Sequence, residues 1–128
     1  MKRVLTITLS SDWKANLEKA AATMQRGITS GKYQGEVLNF ESPAVLFGKL
    51  TERRWNLVRE LQRADGAIGV REVARRVERD VRRVHDDLMV LLELGLIERT
   101  DDELITCPFS DIHVDMHMRA APQRLFTQ

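Results

Sequence analysis

A single cysteine, no apolar run near the ~20 residues of a membrane span and no recognisable catalytic signature bound what this chain can be. Cys107 stands alone, so an internal disulfide is excluded and nothing points to an oxidising compartment. Met1-Lys2-Arg3 opens like a signal peptide, but the apolar run stops at Leu9 and is broken by Thr6 and Thr8. That is too short and too alternating for export, and a cytoplasmic location is the expectation. Internal repeats and low-complexity tracts are missing. So are a glycine-rich phosphate loop, a Cys-His or Ser-His-Asp arrangement and paired carboxylates in an apolar setting, so neither an enzyme nor a cofactor is expected. Gly27, Gly31 and Gly35 lack the strand-then-helix context of a nucleotide site.

What is present suits one domain, or a small core domain with an arm: 128 residues, 43% apolar and 30% charged. The net charge of +1 conceals an asymmetry. Residues 49 to 83 hold eleven Lys or Arg against six Asp or Glu, a surplus of five, and the remainder holds nine against thirteen, a deficit of four. A basic segment in a nearly neutral chain marks where a polyanion would dock.

The same segment carries a pattern of two helices joined by a tight turn. Val73, Val77, Val81, Val84, Leu88, Leu91 and Leu92 recur at spacings of three and four and predict one apolar face of a helical pair. Arg71, Arg75, Arg76, Arg79, Arg82 and Arg83 fall between them and are expected in water. Asp80 can cap the second helix, and Gly95 can end it in a left-handed conformation. Ala74 is small where the helices would cross, and Val84, ten residues on, would face the core. Glu78 occupies the turn position where many such motifs place glycine. Leu96 to Thr100 and Leu104 to Cys107 then read as strands across the polar turn Asp101-Asp102-Glu103. Helix, helix, hairpin is the order of a winged helix.

Upstream, residues 2 to 9 alternate as a strand with one apolar face. A helix is expected from Asp12 to about Arg26, capped by Ser10 or Ser11, with Trp13, Leu17, Ala20, Ala21 and Met24 on one stripe. Gly27 to Gly35 reads as a loop and Glu36 to Glu41 as a short strand. Ser42-Pro43 starts a helix supplying Val45, Leu46 and Phe47. Thr51 opens the next, close to a capping box with Arg54 in the place of Glu or Gln, and Trp55, Leu57, Val58 and Leu61 are its expected buried positions. A last strand is expected over Ile112 to Met118, then a frayed tail.

Several segments resemble a known family: Thr51-Glu52-Arg53-Arg54-Trp55, Val70-Arg71-Glu72-Val73-Ala74-Arg75-Arg76-Val77, Val84-His85-Asp86-Asp87-Leu88, Leu94-Gly95-Leu96-Ile97-Glu98 and Pro108 to Asp115. They look like the MarR-like winged helix-turn-helix DNA-binding proteins, some of which are treated as antitoxins. The likeness covers about residues 40 to 118. It implies an α+β winged helix-turn-helix with helices near 51–64, 70–77 and 80–94 and a wing at 96–109. Residues 1–50 would be an N-terminal strand-helix-strand arm for dimerisation or partner binding, residues 51–118 the DNA-binding domain and residues 119–128 a flexible tail. The first turns of the second helix would enter the major groove. Arg79, Arg82, Arg83 and His85 become candidates for bases and phosphates, with Asp86 accepting from cytosine or orienting an arginine. Arg71, Arg75 and Arg76 would hold backbone phosphates. The acidic wing tip departs from wings that grip phosphate, leaving only Arg99 beside it for that role.

The expected function is a sequence-specific transcriptional regulator acting as a homodimeric repressor on a palindromic operator, with double-stranded DNA as partner. The alternative is an antitoxin that neutralises a small toxin protein and autoregulates its operon; a small overlapping reading frame beside the gene would favour it. The apolar strands of residues 1 to 50 and 111 to 118 are expected to find no internal partner and to build the dimer. His113, Asp115 and His117 would share one face of a strand, with Cys107 near, which is a metal-ligand pattern. The ordinary polar side of an amphipathic strand accounts for it as well, so no metal is expected.

Overall fold

The computed structural model describes residues 2–31, 33, 35–118 and 120. Its elements run β1 (Arg3–Leu9), α1 (Trp13–Ser30), β2 (Glu36–Phe40), α2 (Pro43–Lys49), α3 (Glu52–Arg63), α4 (Val70–Arg76), α5 (Val81–Leu94), β3 (Glu98–Arg99), β4 (Ile105–Thr106) and β5 (Phe109–Asp115). This is a mixed α+β chain. No helix among the described residues is long and apolar enough to cross a membrane.

Local chemistry sets the helix starts where the sequence indicates them. The Ser42 hydroxyl accepts from the Val45 N–H at 3.2 Å with Pro43 in the first turn. Thr51 accepts from Arg54 N–H at 3.4 Å, and the Asp80 carboxylate from Arg83 N–H at 3.2 Å. Each satisfies a first-turn donor that the helix itself leaves unpaired. At the far end of α5, Gly95 sits at φ +84°. Its N–H bonds Leu92 O, and Leu96 N–H bonds Leu91 O, both at 3.1 Å, the paired closure of a helix ended by a left-handed residue.

The sheet departs from expectation. β1 is the centre of a three-stranded parallel sheet in the order β2-β1-β5, so the strands expected to lack internal partners pair with one another. Leu5 lies beside Glu36 and Ile112, Ile7 beside Leu38 and Val114, and Thr8 beside Asn39 and Asp115. The period of two puts Leu5 and Ile7 on a buried face and the threonines on the other. Two outer edges remain, on β2 and β5. The last strand begins at Phe109, earlier than expected, because the Phe109 ring is buried in the core. The expected wing shrinks to two residues per strand, β3 against β4, with Ile68 bridged to Ile105 by hydrogen bonds of 2.9 and 2.7 Å.

One apolar cluster joins both parts of the chain. Leu5, Ile7, Phe40 and Phe109 of the large sheet pack with Leu57, Val58 and Leu61 of α3, Val73 and Ala74 of α4, and Val84, Leu88 and Leu91 of α5. Leu96, Ile97 and Ile105 of the hairpin close it. Trp55, Val77 and Leu92 are only partly buried. Val81, placed by its spacing on the buried face, is 37% exposed because it is the first residue of α5, ahead of the crossing with α4.

α1 runs four residues past its expected end. Gly27 lies inside it and Gly31, at φ +69°, follows its last residue, its N–H bonding Gly27 O at 2.9 Å. An interior glycine costs a helix only about 1 kcal/mol, too little to stop one by itself. Leu17 and Met24 are exposed on α1, against the expected buried stripe, and so are Val45 and Phe47 on α2. The side chains of Trp13 and Ala20 and the tail at 121–128 lie outside the described residues.

Candidate nucleic-acid interface

The turn between α4 and α5 is built by backbone bonds and one left-handed residue. Glu78 N–H bonds Arg75 O at 3.2 Å, Arg79 N–H bonds Ala74 O at 3.0 Å, and Glu78 itself sits at φ +53°. The position does demand the conformation glycine adopts freely, and here a glutamate bears the strain. Ala74 and Val84 are both buried, so the two helices cross closely where the small residue permits.

The nine expected contact residues separate into distinct environments. Arg71, Arg82 and Arg83 are exposed, and none has an ion-pair partner among the described residues. Arg75 and Arg76 are exposed but occupied. Arg75 Nε donates to Glu72 Oε1 at 2.9 Å and Arg76 Nε to Glu72 Oε2 at 2.8 Å. Hydrogen bonds from Arg75 and then Arg76 hold the Glu72 carboxyl down at about 2. His85 and Asp86 are exposed beside each other, Nδ1 to Oδ1 3.7 Å. Arg99 Nη2 reaches Met89 Sδ at 3.3 Å, which ties the hairpin to α5.

Arg79 overturns its expectation. Its side chain is only 20% exposed, not in water, and its Nη2 donates to Asp87 Oδ2 at 2.7 Å. The other oxygen of Asp87 accepts from Arg54 Nε at 3.0 Å, and Arg54 Nη1 donates to Lys49 O at 2.8 Å. Asp87 thus joins the start of α3, the turn and the middle of α5. Burial pushes the Asp87 carboxyl up, but hydrogen bonds from Arg79 and Arg54 and their charges outweigh it, and the group ends below the usual carboxylate range. Arg79 Nη1 is buried without a partner. Sequence reading names Asp87 only within the family resemblance, without a role, and places Arg54 where a capping box has Glu or Gln. Its use here depends on three segments meeting, which no local pattern displays.

The other candidate cluster does not assemble. Among the described residues no three His, Cys, Asp or Glu side chains gather as metal ligands. Asp115 Oδ1 and His117 Nε2 meet at 3.0 Å, and the register sets His113 beside Thr6 and Asp115 beside Thr8 on one face, but among the described residues no third ligand joins the pair. The Cys107 thiol is pushed up by burial and lies 3.5 Å from Leu96 O.

A model of the HVO_A0114 family matches residues 49–114, just over half of the chain. The chain belongs to the HVO_A0114 family. The matched span of this HVO_A0114 member runs from the last residue of α2 through β5 to Val114, and so holds the whole α4–turn–α5 unit and the hairpin. No curated protein and no solved structure matches the chain.

Proposed function

We propose that this chain is a winged helix-turn-helix protein that binds double-stranded DNA sequence-specifically and regulates transcription. The observation that carries the reading is the division of labour among the arginines. Arg79 is spent holding α5 in place through Asp87, while Arg82 and Arg83 on the first turn of α5 and Arg71 on α4 stay in solvent without an ion-pair partner among the described residues. Solvent-facing guanidiniums without an ion-pair partner suit phosphate and guanine, whose O6 and N7 match the arginine fork. The order of elements supports the same reading. The Ile68 bridge lies between α3 and α4, so the unit runs helix, short strand, helix, helix, hairpin, the succession of a winged helix. The MarR-like resemblance falls on this unit too.

In this reading Arg71 and Arg83 hold phosphates, Arg82 and His85 face base edges, Arg75 contributes only when Glu72 releases it, and Arg76 only when both Glu72 and Glu60 do. The wing adds little, because its tip at Asp101, Asp102 and Glu103 is exposed and acidic. The functional unit is a homodimer, since one recognition helix covers too few base pairs for an operator. The open edges of β2 and β5, with Val37, Val114 and Met116 exposed along them, are the surface for it.

Footprinting on the chain's own promoter tests the proposal. A protected site with two symmetric halves is expected, and the Arg82→Ala/Arg83→Ala double variant should lose it while keeping its helical circular dichroism. No protection at low salt, or equal protection by the double variant, removes the DNA-binding reading. Sedimentation of the chain as a monomer at micromolar concentration removes the dimer.

A further inference from the structure

The parallel strands end together, at Leu9, Phe40 and Asp115. From β1 the chain passes through α1 to β2 on one side, and later returns through α2 to β4 to place β5 on the other side. α1 therefore leaves the carboxyl end of β1 between the ends of β2 and β5. In open parallel sheets, crevices outside the strand carboxyl ends are where ligands bind.

A cavity of about 550 Å³ lies at this place, and Thr8, Asn39 and Asp115 of the sheet, Lys19 and Arg26 of α1, and His117 line it. The volume falls within the range of small-molecule sites. Register makes this side polar, since Thr8, Asn39 and Asp115 are neighbours on the face opposite Leu5 and Ile7. Most of that polarity is already engaged. Thr8 Oγ1 donates to Asn39 Oδ1 at 2.9 Å, and Asn39 Nδ2 donates to Ser10 O at 3.0 Å. Asp115, the one acid among the described lining residues, is met by His117 at 3.0 Å. Lys19 has no carboxylate partner among the described residues. Arg26 follows it by seven residues, which is two helical turns along the same side of α1.

We propose that this cavity binds a small anion bearing carboxylate or phosphate groups, with the Lys19 ammonium as its principal counter-charge. The stretch from His113 to His117, which resembles a metal motif in sequence, then contributes two residues to a cavity wall. The site is independent of DNA binding, so failure to bind a duplex leaves it untouched.

The test is a titration of the ¹⁵N-labelled full chain with citrate, inorganic phosphate and glycerol, followed by amide shifts. Saturable shifts at Thr8, Ser10, Asn39 and Asp115 are expected with citrate or phosphate and not with glycerol. Citrate alone would assign a carboxylate ligand and phosphate alone a phosphorylated one; either supports the site. Lys19→Gln should weaken binding by about tenfold, the loss of one favourable charge interaction. Ala22→Trp, which fills the cavity from α1, should abolish the shifts with the chain still folded, and if it unfolds Lys19→Gln decides alone. Shifts that stay linear through tens of millimolar anion, equal response to glycerol, or undiminished binding by Lys19→Gln would overturn the proposal.

Discussion

Replacing Asp87 with alanine removes the one acceptor shared by Arg54 and Arg79. Their side chains are 21% and 20% exposed and Asp87 is 17% exposed, so the cluster lies between a surface ion pair and a buried one. Exposed pairs contribute about 0–1 kcal/mol, and orphaning a fully buried charge costs about 3–5 kcal/mol. Two charge-assisted bonds are lost here, while both guanidiniums keep some access to water. The expected destabilisation is about 2–3 kcal/mol, an intermediate of those limits. For a chain of this size that corresponds to a melting midpoint lower by about 6–15 °C. Urea denaturation followed by circular dichroism at neutral pH reads the loss directly. The sign of its pH dependence follows from the lowered carboxyl. A group whose folded value lies below its unfolded value stabilises fully above the unfolded value, about 3.9, and loses that contribution as pH falls through the folded one. The gap between wild type and Asp87→Ala should therefore be full at pH 7 and close under acid, below about pH 4. A gap below about 0.5 kcal/mol at neutral pH, the ordinary surface range, would refute the assignment of Asp87 as the joint between α3 and α5.

Glu78→Gly should stabilise the chain by about 0.5 kcal/mol, since relief of the left-handed conformation exceeds the extra chain entropy of glycine; a lower midpoint in urea would contradict the turn geometry. Glu72→Gln should free Arg75, whereas Arg76 keeps Glu60 at 4.0 Å, so binding to duplex DNA at low salt strengthens several-fold and its salt dependence steepens, with little change in melting; unchanged binding in a filter assay would place Arg75 off the interface. Leu88→Ala should cost about 2–5 kcal/mol in urea unfolding, because Leu88 is fully buried where α5 meets the core, and a loss under about 1 kcal/mol would contradict that packing.

The parts legible in the sequence are those decided within a few residues. Ser42, Thr51 and Asp80 each cap the helix that follows, and Gly95 ends α5, because a cap needs only a side chain and the backbone three residues on. The buried positions Val73, Val84, Leu88 and Leu91 follow from helical periodicity in the same way. The local hairpin of β3 and β4 was legible too, but long-range pairing was not. β1 alternates as a strand should, but nothing in residues 2 to 9 states that Phe109 to Asp115 lies beside it in parallel, a hundred residues away. Those strands read as edges without partners for that reason. The arginines divide along the same line. Composition places them together, but which are free depends on where Glu72 and Asp87 end up, and Asp87 meets Arg79 eight residues off and Arg54 thirty-three residues off. Arg3 is a further case: it donates to Glu36 at 3.0 Å and Glu98 at 3.2 Å and lies over the Phe109 ring at 5.0 Å, fastening the parallel sheet to the hairpin.

The claim on which the account turns is that Arg71, Arg82 and Arg83 are held ready for duplex DNA, two for its backbone and Arg82 for its bases. The salt dependence of duplex binding by the full chain measures it most directly. If Arg71 and Arg83 each displace a counterion from a phosphate, log affinity should fall against log salt with a slope of about −1.8 per chain, and the Arg82→Ala/Arg83→Ala variant should flatten it to about −0.9. A slope near zero, or the same slope in both proteins, would contradict it.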